Sequence, residues 1–343
     1  MLLPTSQTFT ADNFALSTGA SLPQLTVAYE TFGELNADRS NAILLCHGYT
    51  NHPHAGGDAE GWFFRLLGPG KAIDTDKHFV VCSNMLGSAY GTSGPSSINP
   101  ETSKPYGPDF PKFTTRDMID AQHALLDHLG IDQLRAVMGY SYGGHLTFLW
   151  GAAYPEKMRA LIPVAGVIER KTTHSDIERI RARFEDCPGW NGGHYYGNED
   201  APGGVREKMI EARVETLSRY GLGDYLAATV EDPSERERIM QNRARTWSKQ
   251  FDANSLSILY EAGIGSTAIP GIENIKVPLL NILSRSDSVV DVREGPATVD
   301  LLRNAGVDAT FFEIDTDFGH TGPLLEPDKW SDTLRTFIEA IDE

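Results

Sequence analysis

Short runs of consecutive apolar residues recur along the chain, and stretches with apolar residues three and four positions apart separate them. Continuous apolar runs of this length are typical of strands covered on both faces, whereas the three-and-four spacing is typical of helices that pack one face against a core. This alternation predicts an α/β fold with a mostly parallel sheet and helices on both of its faces. The strand-like runs are residues 42–46, 79–82, 134–138, 160–164, 278–283 and 309–314.

Two features flank this alternating pattern. Residues 9–33 form short alternating segments interrupted by Gly19 and Pro23, which predicts antiparallel strands at one edge of the sheet. Helical periodicity extends over residues 115–129, where it stops at Gly130, a residue type that commonly follows the end of a helix. The same periodicity predicts helices over residues 299–305 and 330–341.

The alternation is interrupted between residues 165 and 278 by charged, helix-favouring segments. We expect residues 1–168 and 272–343 to form the core domain, and residues 169–271 to form a helical lid over the site that the core carries. Long insertions are often functional, and the alternative is a surface appendage. The predicted insertion helices cover residues 175–184, 206–220 and 233–251.

The strand predicted over residues 134–138 leads into Gly139-Tyr140-Ser141-Tyr142-Gly143, and an apolar stretch that can form a buried helix follows. Strand, tight turn and helix form the setting in which a serine is presented as a nucleophile. Glycines at positions 139 and 143 let strand and helix approach without Cβ clashes. Ser141 is therefore the candidate nucleophile.

A serine hydroxyl needs a base to remove its proton, and the base needs a carboxylate to fix its tautomer. Asp287 follows the strand predicted over residues 278–283, and His320 follows the last predicted strand. Side chains beyond the carboxyl ends of parallel strands collect at one edge of the sheet. We therefore predict His320 as base and Asp287 as acid, with Asp291 and Asp317 as alternative acids.

Acyl transfer also requires donors for the negative oxygen of a tetrahedral intermediate. The backbone N–H of Tyr142, directly after the serine, is one predicted donor. The second is a backbone N–H in the loop His47-Gly48-Tyr49-Thr50 that follows the strand over residues 42–46, with Tyr49 as the candidate.

Two other loops resemble known binding motifs only superficially. His47, His52 and His54 could suggest metal ligands, but no Cys, Asp or Glu stands at a supporting spacing. The glycine-rich residues 86–94 lack the Gly-Lys-Ser/Thr ending of a phosphate-binding loop. We predict neither a metal nor another cofactor.

Composition narrows the possible partners. A formal charge of −17 on 343 residues argues against nucleic acid and anionic membranes, because both need a basic surface. The three cysteines, Cys46, Cys82 and Cys187, cannot all pair, and no apolar segment reaches the length of a membrane span. Without a recognisable export signal at the start of the sequence, we expect a cytoplasmic protein that acts on a small-molecule ester.

Four longer motifs resemble homoserine O-acetyltransferases, and the similarity extends from about residue 29 to the end. It implies an α/β-hydrolase fold, with a mostly parallel eight-stranded sheet and an inserted helical lid. It also implies a Ser141, Asp287, His320 triad, a ping-pong acyl-enzyme, and a homodimer joined through lid helices. The motifs are GPGKAIDTD at residues 68–76, GTSGPSSINPETSKPYG at 91–107, FTTRDMIDAQHALLDHLGI at 113–131 and FDANS at 251–255.

The sequence departs from this family around the substrate. In the acetyltransferases an Asp that holds the substrate's amino group follows the catalytic His, whereas here Thr321 follows His320. The family also binds the substrate carboxylate with an Arg and a Tyr seven residues later. Arg213 and Tyr220 have that spacing, although another register places Lys208 and Glu215 there. The departures resemble a branch of simple esterases.

Three functional hypotheses follow. The first, which the departures around the substrate lead us to favour, is a serine carboxylesterase that hydrolyses small acetate-type esters through an acyl-serine, with water rather than homoserine as the acceptor. The second is an acyl-CoA-dependent O-acetyltransferase that acts on homoserine or another alcohol. The third is a catalytically silent binding protein, which the complete Ser, Asp, His set disfavours.

Overall fold

A computed structural model describes Leu3 and residues 5–342, apart from the side chain of residue 342. Eight strands form one sheet with the spatial order β1-β2-β4-β3-β5-β6-β7-β8. The strands are β1 (Gln7–Ala15), β2 (Ser21–Phe32), β3 (Ala42–Cys46), β4 (Phe79–Ser83), β5 (Ala136–Tyr140), β6 (Leu161–Val164), β7 (Leu279–Ser284) and β8 (Ala309–Ile314).

Strands β3 to β8 run parallel to one another, whereas β2 is antiparallel to both β1 and β4. The mostly parallel sheet with an antiparallel edge is therefore confirmed. Strand β5 begins and ends two residues later than its apolar run predicted. Leu134 makes only an isolated bridge to Met158, and the ladder with β6 extends through Gly139 and Tyr140.

Ten α-helices lie in the described part of the chain. Helix α1 begins at a capping box: the Thr114 side chain accepts from the Asp117 N–H, and the Asp117 side chain accepts from the Thr114 N–H. Beyond its C-terminal end lies Gly130 at φ +67°. The helices are α1 (Thr115–His128), α2 (Tyr142–Ala153), α3 (His174–Ala182), α4 (Val205–Arg219), α5 (Leu222–Thr229), α6 (Pro233–Ser248), α7 (Ala253–Glu261), α8 (Glu294–Asn304), α9 (Gly322–Leu325) and α10 (Ser331–Glu339). None is long and apolar enough to cross a membrane.

The core occupies both faces of the sheet. Successive residues of β3 point to opposite faces, so that Leu44 belongs to one buried apolar cluster, which includes Leu146 and Trp150, and Leu45 belongs to a second, which includes Trp330. Because both faces are covered by helices, the strand needs apolar residues at every position, which explains its continuous apolar run.

The interruption between β6 and β7 contains helices α3 to α7. Its two ends meet, since Glu169 and Thr267 form an antiparallel bridge and the Arg170 N–H donates to the Ser266 carbonyl at 2.9 Å. Three of its helices were predicted from charge and periodicity, whereas α5 and α7 were missed because each contains only one charged residue. The whole insertion thus leaves the core after β6 and returns to it before β7.

We predict that Leu44→Ala lowers the free energy of unfolding by roughly 2–5 kcal/mol, because it removes buried methyl groups and leaves a cavity in a central strand. Urea denaturation followed by circular dichroism measures the change. Ile98→Ala is the matched control: Ile98 is 59% exposed, so its truncation should change stability by less than about 0.5 kcal/mol. Equal losses in both variants would contradict this account of the core.

Candidate active site

Ser141 stands between the end of β5 and the start of α2 with φ +59° and ψ −114°. A left-handed backbone is rare for a non-glycine residue and marks a sharp, strained turn. A Cβ atom on Gly139 would lie 2.1 Å from the Gly143 carbonyl oxygen, and one on Gly143 would lie 2.0 Å from the Cys46 carbonyl oxygen. The glycines are therefore required by close backbone contact, as the sequence predicted.

The structure brings Ser141, His320 and Asp287 into one hydrogen-bonded chain. Ser141 Oγ donates to His320 Nε2 at 2.7 Å, and His320 Nδ1 donates to Asp287 Oδ2 at 2.7 Å. The His320 and Asp287 side chains are fully buried. A neutral imidazole in this tautomer can accept the serine proton, and the carboxylate would stabilise the resulting cation.

Asp287 is held by more than the histidine. Its Oδ1 atom accepts backbone N–H bonds from Val289 at 2.7 Å and Val290 at 3.1 Å, which fixes the carboxylate in the turn after β7. The alternative acids are occupied elsewhere, since Asp291 pairs with Arg293 and Asp317 pairs with Arg285. The geometry therefore selects Asp287 from the three candidates.

The backbone around His320 is tied to neighbouring elements. Tyr140 Oη donates to the His320 carbonyl at 2.7 Å, and the Thr321 N–H donates to the Tyr220 carbonyl at 2.9 Å. The Tyr220 ring also contacts the His320 ring edge-on at 4.9 Å. The base is thus positioned by β5 on one side and by the end of α4 on the other.

The loop after β3 lies directly against the start of α2, since a Cβ atom on Gly143 would lie 2.0 Å from the Cys46 carbonyl oxygen and 2.7 Å from the His47 carbonyl oxygen. His47 orders this loop: its Nδ1 donates to the Gly48 carbonyl at 2.7 Å, and its Nε2 accepts from the Met85 N–H at 3.1 Å. Burial lowers the pKa of His47 to about 4, so the ring is neutral at pH 7. Tyr49, in the same loop, lines the cavity that reaches Ser141.

This cavity has a volume of about 920 Å³ and lies between the core and the helical insertion. The core residues that line it include Ser141, Tyr140 and His320, and helices α4 and α6 contribute further lining residues. Such a volume accommodates a small organic substrate. The insertion residues in the wall are Arg213, Leu217, Tyr220, Leu222, Asn242, Arg243, Thr246, Trp247 and Gln250.

Arg213 is a cation without an acidic partner among the described residues. Its Nη1 donates to Thr50 Oγ1 at 2.7 Å, its guanidinium lies 4.9 Å from the Trp247 ring centroid, and its buried Nε has no hydrogen-bond partner. Burial lowers its pKa, although arginine keeps its charge at any ordinary pH. The alternative register fails, because Lys208 pairs with Glu211 outside the cavity lining.

Thr321 also borders the cavity, but its hydroxyl is directed to backbone groups. Its Oγ1 lies 3.0 Å from the Tyr220 carbonyl and 3.1 Å from the Phe318 carbonyl, and it donates to them. The hydroxyl proton is therefore used in hydrogen bonds within the protein and is not directed at a substrate. Tyr220 and Thr321 thus both line the cavity, as predicted, but the Thr321 hydroxyl is bonded to the Tyr220 carbonyl.

Several site residues were not foreseen. Thr50 and Trp247 hold Arg213, and Tyr140 fixes His320; only Tyr140 carried a sequence signal, since it directly precedes the nucleophile. Of the loop histidines, His54 lies between Glu30 at 2.7 Å and Asp58 at 2.8 Å. Within the described residues no group of three or more His, Cys, Asp or Glu side chains is arranged to hold a metal ion.

Comparisons with known proteins agree on the family. The alpha/beta hydrolase fold family matches residues 41–327. The homoserine O-acetyltransferase of Methanosphaerula palustris is 35% identical over 360 residues, which cover 98% of this chain and 74% of that protein. The homoserine O-acetyltransferase of Rhodospirillum rubrum is 35% identical over 353 residues, with coverage of 95% and 90%.

Solved structures of both esterases and acetyltransferases are similar over nearly the whole chain. Esterase E22 superposes with a TM-score of 0.85 at 27% identity, covering 97% of this chain and 99% of that one. The homoserine O-acetyltransferase of Bacillus anthracis superposes with a TM-score of 0.84 at 28% identity, covering 97% of each chain. This chain therefore belongs to the homoserine O-acetyltransferase-like family of α/β-hydrolase enzymes.

Proposed function

We propose that the protein transfers acyl groups through a covalent acyl-Ser141 intermediate. The observation that carries this proposal is the chain of 2.7 Å hydrogen bonds from Asp287 through His320 to Ser141, of which His320 and Ser141 line the cavity. His320 Nε2 takes the Ser141 proton as Oγ attacks the acyl carbonyl carbon, and it then protonates the leaving group. The hydroxyl of the second substrate then gives its proton to His320 Nε2 and attacks the acyl carbon, and as the bond from that carbon to Ser141 Oγ breaks, His320 returns the proton to Oγ.

We assign the oxyanion hole to the backbone N–H groups of Tyr142 and Tyr49. Negative charge develops on the acyl oxygen in both half-reactions, and donors aimed at that position lower both barriers. The close contact of Gly143 with the Cys46 and His47 carbonyls supports this assignment, because it keeps the loop after β3 beside the N-terminus of α2.

We infer that the acyl acceptor is the hydroxyl of a small carboxylate-bearing alcohol, of which homoserine is the type, and that acyl-CoA is the donor. The departures near His320 favour hydrolysis, but the named acetyltransferases are 35% identical to this chain over almost its whole length. These relatives favour the transferase hypothesis over the esterase hypothesis. No resident cofactor enters the proposed reaction.

Arg213 supports a substrate with a carboxylate. Burial of a guanidinium removes its hydration, which costs free energy. An anion bound beside it offsets this cost by accepting its hydrogen bonds and balancing its charge. The planar fork of arginine matches a carboxylate with two parallel bonds. Because Arg213 has no acidic partner among the described residues, a carboxylate on the acceptor can take that place.

Hydrolysis of small acetate esters is the second candidate, and Thr321 is the observation that favours it. Relatives hold the amino group of homoserine with an Asp after the catalytic histidine, whereas the Thr321 hydroxyl donates to backbone carbonyls. An alcohol competes with water for an acyl-enzyme only when the site holds it in attacking geometry. A poorly held acceptor would leave the acyl group to water.

We further propose that residues 169–271 act as a lid, because helices α4 and α6 supply one wall of the cavity. The same observation supports our proposed division into a core of residues 1–168 and 272–343 and this lid. Assembly into a homodimer through lid helices and a cytoplasmic location stay predictions.

We predict that Ser141→Ala and His320→Ala each reduce kcat by several orders of magnitude, and that Asp287→Asn reduces it somewhat less, because the three groups act as a unit. Hydrolysis of p-nitrophenyl acetate and stoichiometric labelling by a fluorophosphonate measure the loss. Asp291→Asn serves as the matched control and should keep its activity. More than about a tenth of the wild-type kcat in Ser141→Ala would contradict the proposed nucleophile.

We predict saturable, acetyl-CoA-dependent formation of O-acetylhomoserine that exceeds the hydrolysis of acetyl-CoA under the same conditions. Positioned groups reach effective molarities of roughly 10⁵ M or more, which is far above the concentration of water. Thr321→Asp should raise the ratio of transfer to hydrolysis by adding a partner for the acceptor's ammonium. Rapid hydrolysis of acetate esters together with no saturable transfer would select the esterase.

We predict that Arg213→Gln raises the KM for a carboxylate-bearing acceptor at least about tenfold, which corresponds to roughly 1.4 kcal/mol of lost binding free energy. Hydrolysis of a neutral ester should change much less, since it needs no anion site. Arg238→Gln is the control, because Arg238 is an exposed residue of α6 that pairs with Glu235. Equal effects of Arg213→Gln on charged and neutral substrates would mean that Arg213 has only a structural role.

A further inference from the structure

The side chains of the two proposed oxyanion-hole residues end on the same helix of the insertion. Tyr142 Oη donates to the Leu259 carbonyl at 2.8 Å, and Tyr49 Oη donates to the Leu256 carbonyl. Both acceptors belong to α7. The two tyrosines come from different parts of the chain, the start of α2 and the loop after β3, and neither helix α7 nor these hydroxyls have a role in the reaction described above.

The rings between these anchors are closely packed. The Tyr49 and Tyr142 rings are stacked with centroids 6.3 Å apart, and Tyr260 of α7 contacts Tyr49 edge-on at 4.8 Å. The Arg170 guanidinium lies 4.2 Å from the centroid of the Tyr142 ring. Each phenol therefore has little freedom to turn away from its carbonyl acceptor.

Helix α7 is itself fixed at both ends. At its N-terminus, Asp252 Oδ2 accepts from the Ser255 N–H at 2.7 Å, while Asp252 Oδ1 accepts from the hydroxyls of Tyr195 at 2.6 Å and Tyr196 at 2.9 Å. At its C-terminus, the Ala262 carbonyl accepts from the Thr115 N–H of α1 at 3.1 Å. The helix is therefore a rigid reference that belongs to the insertion but is joined to the core.

Oxyanion stabilisation depends on the direction of backbone N–H groups, and removal of one donor lowers kcat roughly 10²–10³-fold. A tyrosine ring has only two rotatable bonds between its backbone and its hydroxyl. Fixing the hydroxyl on α7 therefore restricts the peptide group at the other end of the same residue. Because the Leu259 carbonyl lies in the last turn of α7, where carbonyls have no partner within the helix, the Tyr142 bond also satisfies a buried acceptor.

We propose that the phenol hydroxyls of Tyr49 and Tyr142 are positioning groups that fix both oxyanion-hole N–H donors relative to helix α7, so that the placement of the insertion sets the rate of acyl transfer. This inference rests on the proposed function, since it needs those N–H groups to be the oxyanion donors. The tyrosines act through their backbones, and their hydroxyls do not touch the reacting atoms.

The test compares Tyr49→Phe, Tyr142→Phe and the double variant with the wild-type enzyme. Each change removes one hydroxyl and keeps the ring, so that the cavity and the packing are retained. We expect kcat for acetyl-ester turnover to fall about tenfold in each single variant, a fraction of the loss for a removed donor. KM should stay within about twofold, since the substrate carbonyl gains its charge only in the transition state.

A boronic acid provides a readout that a purely structural role would not change, because it forms a tetrahedral anionic adduct with serine. Its affinity should fall by about the same factor as kcat in each variant. Tyr154→Phe is the matched control: the Tyr154 hydroxyl donates to Asp120 Oδ1 at 2.6 Å, outside the cavity lining. It should lose a similar amount of thermal stability and keep both kcat and boronate affinity.

Wild-type kcat and boronate affinity in the phenylalanine variants would overturn the inference, as would a rise in KM at constant kcat. This outcome is distinct from a failure of the proposed function. If Ser141 is not the nucleophile, the wild-type enzyme is not labelled by a fluorophosphonate at Ser141. If only the positioning role is wrong, the wild-type enzyme and all three variants are labelled fully and turn over equally.

Discussion

The left-handed backbone of Ser141 is the constraint on which the rest of the structure depends. It is held because α2 packs so closely on β3 and β5 that neither Gly139 nor Gly143 has room for a Cβ atom. Such strain persists only where the surrounding structure fixes it. The parallel sheet, covered by helices on both faces, provides that surrounding structure. It presents Ser141 at the edge where the turns after β7 and β8 bring Asp287 and His320, the proposed acid and base.

The insertion supplies the contacts to the site that the core does not provide. Helix α4 supplies Arg213, and Tyr220, directly after that helix, supplies the carbonyl that fixes Thr321 beside His320. Backbone carbonyls of α7 accept hydrogen bonds from the hydroxyls of Tyr49 and Tyr142. The same segment thus contacts the charge site, the base and both proposed oxyanion donors. Under the proposed function, the choice between water and an alcohol as acceptor is a property of the insertion and of the residue after His320, while the proposed nucleophile belongs to the core.

Much of this arrangement could be predicted from the sequence, because its signals are local. Neighbouring residues alone predict the strands β3 to β8, which are continuous apolar runs. They also predict the tight turn at Ser141, from Gly139 and Gly143, and the location of Asp287 and His320 just after two of the strands. The contacts of Arg213 with Thr50 and Trp247, and those of Tyr49 and Tyr142 with α7, join segments far apart in the chain. No periodicity or motif encodes such contacts, so they required the folded chain.

The most direct test of the account is rapid-quench mass spectrometry of the enzyme mixed with acetyl-CoA, followed by peptide mapping. We predict one acetyl group on the peptide that contains Ser141, formed within a single turnover and removed when homoserine is added. An acetylated lysine or cysteine as the kinetically competent species, or turnover with unmodified Ser141, would contradict the acyl-Ser141 mechanism.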